Sequence, residues 1–155
     1  MTRTTTMLLL LALPACGAHP RPWAESAQIA LATGAHVLAA GDAVAAARYR
    51  LDAADAGALA PLEARYAPVL EGERIAAASL RAAEAALDVY RANATVAAQC
   101  RAHAAVLGAA ADTATYAAVL RAAGLAVPPE VATLAALAGD VTRAVDPTCA
   151  PDGGA

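Results

Sequence analysis

Lysine and phenylalanine do not occur in this chain of 155 residues, serine occurs twice, and aromatic residues amount to 3%. Without lysine, a phosphate-cradling loop of the Gly-rich lysine type is excluded, because its cation must reach the terminal phosphates. The two serines, Ser26 and Ser79, stand in no Gly-x-Ser-x-Gly elbow and have no nucleophile-activating neighbour in sequence. All 11 cations are arginine against 14 acids, for a formal charge of −3. No basic patch forms, so nucleic acid is not an expected partner. The apolar run Met7 to Leu13 falls well short of the ~20 residues that a bilayer crossing needs.

With so few large side chains, the core must be built from alanine, roughly a third of the chain and far above ordinary usage. Alanine has the best helix propensity, and its small volume lets backbones approach, whereas strands want the branched and aromatic residues that are scarce here. The expected fold is all-α: an alanine-rich antiparallel helical hairpin or a small bundle of about four helices, two long and two short, with a C-terminal coil tail.

The spacing predicts a first helix from Ala24 to about Ala56. Val37, Val44 and Leu51 repeat every seven residues with Ala40, Ala47 and Ala54 between them, a narrow apolar stripe of the coiled-coil kind. Gly34 and Gly41 interrupt it at ~1 kcal/mol each relative to alanine, which either loosens the helix or admits a neighbouring backbone. Gly57 and Pro61 mark a break, with Pro68 as an alternative start. A second long helix is predicted from Pro61 or Pro68 to about Leu107. Leu59, Tyr66, Glu73, Leu80, Leu87 and Ala94 share one heptad position; Leu62, Val69, Ala76, Ala83, Tyr90 and Ala97 share the other. After Gly108, Asp112-Thr113 is expected to cap a short third helix that stops at Gly124. Pro128-Pro129-Glu130 opens a fourth, with Val131, Leu134, Leu137 and Val141 facing inward, ending at Asp146-Pro147. Asn93-Ala94-Thr95 matches a glycosylation acceptor pattern and is read as coincidence.

No catalytic constellation is legible, so no catalytic residue, metal ligand set or cofactor is assigned and the chain is read as a non-enzyme. His19, His36 and His103 form no His-Glu-x-x-His arrangement. Cys100 and His103 stand at ligand-like spacing, yet structural zinc wants four such groups in paired clusters and Cys149 has no companion nearby. Trp23, the single tryptophan, reads as a hydrophobic cap on the first helix or as an interfacial ring.

The start of the chain is more specific. Arg3, the apolar run Met7 to Leu13, then Leu13-Pro14-Ala15-Cys16, resembles a bacterial lipoprotein signal, in which a small residue precedes a cysteine that receives the lipid and becomes the new N-terminus. That resemblance covers the leader alone; the remainder resembles no specific family. It implies a signal peptide over residues 1–15, a lipidated N-terminus and tether over 16–22, a helical domain over 23–147 and a tail over 148–155. Its removal would take Arg3 with it and the formal charge to −4. Export would leave Cys100 and Cys149 as an even pair where a disulfide persists, closing a loop that stabilises the fold by roughly 3–5 kcal/mol.

What the resemblance implies is export to the bacterial cell envelope, a lipid anchor at Cys16 facing the periplasm, and, with Gly17 rather than Asp after the cysteine, the outer membrane over the inner in a Gram-negative host. Three function classes remain open: a non-enzymatic helical module that binds another envelope protein or self-associates, a phage-encoded envelope lipoprotein of the lysis or superinfection type, and a small-ligand carrier or enzyme using the interior of the bundle.

Overall fold

The computed structural model describes residues 22–57, 59–145 and 147–149; the leader with Cys16, the tether up to Arg21 and the tail beyond Cys149 lie outside them. Four helices follow one another: α1 (Trp23–Asp55), α2 (Ala60–Asn93), α3 (Val96–Ala122) and α4 (Glu130–Ala144), with a 3-10 turn at Pro147–Cys149. Gln28 at the start of α1 meets Arg91 at the end of α2, and Asp52 meets Arg65, so these helices are antiparallel. Ser79 of α2 donates to Asp112 of α3, and His36 of α1 lies 3.7 Å from Glu130 at the start of α4. The bundle is therefore up-down-up-down. α1 touches all three other helices, α3 does likewise, and α2 and α4 stand on opposite sides.

Cap chemistry explains where the helices end. Pro61 occupies the first turn of α2, where its missing donor is harmless, and Pro68 lies inside the same helix. The second helix does not run to Leu107 as its heptad suggests. It stops at Asn93, Ala94 turns left-handed at φ 42°, and the Thr95 hydroxyl accepts from the Ala98 N–H at 3.2 Å to start α3. The short helix expected from Asp112 is instead the second half of a 27-residue α3 that passes straight through Gly108. Asp112 and Thr113 cap nothing: the former accepts from Ser79, the latter donates to the Ala109 carbonyl at 2.8 Å. At the far end, Gly124 at φ 75° allows a Schellman stop, with Gly124 N–H to Arg121 and Leu125 N–H to Leu120. The bundle thus has three long helices and one short one, and Cys149 sits in a 3-10 turn rather than in coil.

Ala94 is the one non-glycine residue in the left-handed region among those described. A side chain there costs ~1 kcal/mol that glycine avoids. Ala94→Gly is expected to raise stability by ~0.5–1 kcal/mol in urea denaturation; a lower midpoint would refute the strain.

The core is as thin as the composition requires. In α2 the expected heptad is buried from Leu62 through Tyr66, Val69, Ala76, Leu80 and Ala83 to Leu87. In α1 the stripe with Val37 extends back through Ala30 to Trp23, but its companion is Ala27, Gly34 and Gly41, one residue on from the alanines expected. The reason is α3. The Tyr116 ring crosses the seam between Gly41 and Gly72, and a Cβ on Gly41 would lie 2.7 Å from it. Upward from Val37 the stripe leaves the core, with Val44 half-buried and Leu51 64% exposed, because α4 begins opposite His36 and covers only the lower part of α1. Leu134, Leu137 and Val141 of α4 are buried as expected, and Val131 half so. Trp23 is buried edge-on against Tyr90, centroids 5.1 Å apart, which makes it the cap of the bundle.

Candidate functional site

A groove of about 600 Å³ lies between the upper halves of α1 and α2. Ala45 from α1 and Val69 from α2, both buried, lie at its base, with Ala46 and Ala67 beside them, so small side chains on both helices leave the space open. Asp42, Tyr49 and Arg50 stand on the α1 wall; Glu63, Tyr66 and Leu70 stand on the α2 wall. A shallower depression of about 320 Å³ continues below it past Asp42 to Glu73, Leu80, Arg81 and Glu84.

The upper rim is held by one carboxylate. Asp52 accepts from the Tyr66 hydroxyl at 2.9 Å and from Arg65 at 3.2 Å, tying α1 to α2, and is ion-paired with Arg48 of its own helix at 2.8 Å. Tyr49 packs edge-on against Tyr66 with centroids 5.2 Å apart, and the Arg65 guanidinium lies 5.8 Å from the Tyr66 ring centre. Burial, with the Asp52 bond and charge behind it, pushes the Tyr66 hydroxyl above its ordinary range. Below, partial burial and the charge of Asp42 raise the carboxyl of Glu73. Nothing in the sequence announced this network, since its members are 13 and 14 positions apart and only the hairpin brings them together.

The remaining candidate residues fall elsewhere. Cys100, in the second turn of α3, is bonded to Cys149, with sulfurs 2.08 Å and Cα atoms 4.8 Å apart, which clamps the chain after α4 onto the start of α3. Its sulfur is thereby unavailable as a thiolate ligand beside His103. His103 is packed in the core with its Nε2 unpartnered among the described residues, and burial pushes its pKa below the usual imidazole range. His36 is exposed beside Glu130. Among the described residues, no three His, Cys, Asp or Glu side chains converge as a metal site would need. Ser79 and Asp112, which the sequence keeps 33 positions apart, meet across α2 and α3, and among the described residues no hydrogen bond links either to a histidine.

By length and composition α1 is apolar enough to cross a membrane. In the bundle that apolarity has an ordinary use, as Ala27, Ala30, Leu31 and Val37 are buried against the neighbouring helices. No protein-family model, curated protein or solved structure matches the chain.

Proposed function

We propose that this protein is a bacterial envelope lipoprotein, anchored by an acylated Cys16, whose helical domain serves as a non-enzymatic binding module. The observation that carries the reading is the pairing of Cys100 with Cys149. It uses two of the three cysteines and leaves Cys16, the one that follows a charged and apolar leader, for the lipid. A structural disulfide also suits a chain delivered to an oxidising compartment. The binding role is supported by the α1/α2 groove, an apolar channel with two tyrosines in its walls. With Gly17 after the cysteine, by resemblance to enterobacterial lipoproteins the outer membrane is the expected destination.

Cys16→Ser is expected to abolish incorporation of labelled palmitate completely while leaving the helical circular dichroism of the domain unchanged. Undiminished labelling of the Cys16→Ser chain would remove the anchor from this account.

A further inference from the structure

We infer that the α1/α2 groove is a self-association surface and that its occupant is a second copy of this chain, related by a two-fold axis. This names the partner of the binding module proposed above and does not depend on acylation of Cys16.

A two-fold interface brings the same patch of two molecules together, so the patch must complement itself in shape and in charge. The groove does both. Leu70 projects from its α2 wall with 61% of its surface in water, the second most exposed of the large apolar residues described, and the alanines at 45, 46 and 67 beside it leave a hollow. An apolar knob and an apolar hollow on one surface allow each copy's Leu70 to enter the other's groove, as side chains interlock in paired helices. Mating would take the exposed surface of Leu70 out of water, a favourable term for the paired state.

The charges follow the same logic. Arg48, Asp52 and Arg65 at the rim are bound to one another. Arg50 on the α1 wall and Glu63 on the α2 wall face the groove, and neither forms an ion pair or hydrogen bond with a described residue. Opposite charges on opposite walls are the pattern that a two-fold operation converts into two equivalent pairs, each Arg50 meeting Glu63 of the second copy. Asp42 and Glu73 lie lower, where mating would set acid against acid, so the contact centres on the upper groove. The two tyrosines of its walls are already fixed, Tyr49 and Tyr66 edge-on and Tyr66 tethered to Asp52, so ordering on docking is confined to Leu70, Arg50 and Glu63.

The test is sedimentation equilibrium of the full chain in density-matched detergent, run in parallel on the acylated protein and the Cys16→Ser chain. Both are expected to form the same dimer, dissociating on dilution. Arg50→Glu and Glu63→Arg should each weaken association about tenfold or more, and the two together should restore it, because the swap regenerates the pairs. Leu70→Asp should yield a monomer of unchanged helicity. Leu51→Asp, equally exposed but outside the groove, should leave the dimer intact. A wild-type chain that is monomeric at every concentration, a dimer indifferent to all groove variants, or a double swap that fails to restore association would each overturn the assignment. A dimer in the acylated protein alone would also overturn it, by placing the association in the lipid.

Discussion

Breaking the Cys100–Cys149 bond is expected to lower the stability of the domain by roughly 3–5 kcal/mol. The bond closes a loop spanning 49 positions that contains most of α3, the turn at Gly124 and all of α4. Its removal returns that loop's configurational freedom to the unfolded chain. Native contacts favour the same conclusion. α4 is 15 residues long and reaches only the lower bundle, so once its end is released it is held by little more than Leu134, Leu137 and Val141. Urea denaturation of Cys149→Ser, or of reduced wild type, should show the midpoint shift, with α4 amides losing protection from hydrogen exchange before those of α2. Two freely alkylatable thiols at positions 100 and 149 in the native protein would remove the premise.

The second large effect sits at the seam where Tyr116 passes Gly41. Gly41→Ala is expected to destabilise by ~1–3 kcal/mol, since the added Cβ would lie 2.7 Å from the ring and 2.8 Å from Leu120, both fully buried. Gly108→Ala, inside α3 with open space around it, should instead stabilise by ~0.5–1 kcal/mol through helix propensity alone. Opposite signs for one chemical change at two helical glycines would establish that close approach, and not flexibility, keeps Gly41. Two midpoints moving in the same direction would refute it.

The same tyrosine gives the fold an alkaline limit. Its hydroxyl is buried without a hydrogen-bond partner, and desolvation, then the charges of Glu73 and Asp42, push its pKa up to about 12. The unfolded chain ionises near 10.0. Stability from this group is therefore complete below pH ~10 and is lost as pH rises through ~12, by ~1.4 kcal/mol for each unit of difference. Tyr116→Phe should flatten that decline, leaving the smaller one due to Tyr66, and should stabilise the protein by ~1 kcal/mol at neutral pH by deleting an unpaired polar atom. Parallel pH profiles for wild type and Tyr116→Phe would contradict the burial.

Much of the architecture was legible because helix geometry is a local property. The inward residues of α2 from Leu62 to Leu87, the Gly124 stop and the inner face of α4 all follow from spacing and cap chemistry within a turn or two. The boundary at Ala94 was not. Leu87 to Ala94 and Tyr90 to Ala97 continue the heptad across it, no glycine or proline punctuates it, and Thr95 reads as readily in a glycosylation pattern as in a cap. In α1 the alanine half of the stripe was placed one residue off, beside a correctly placed Val37, because alanine is so abundant that several faces of the helix look equally apolar.

Composition and short-range pattern by themselves determined that this chain would be helical and thinly packed, that its cysteines numbered an even pair beyond Cys16, and that no nucleophile or phosphate-binding motif was present. Only the tertiary structure decided which glycine admits Tyr116, which carboxylate gathers Arg48, Arg65 and Tyr66, and where the groove opens. Periodicity records that a face will be buried, but not what it will meet. In a chain a third alanine, the few large side chains choose among nearly equivalent seams, and that choice depends on contacts between residues far apart in sequence.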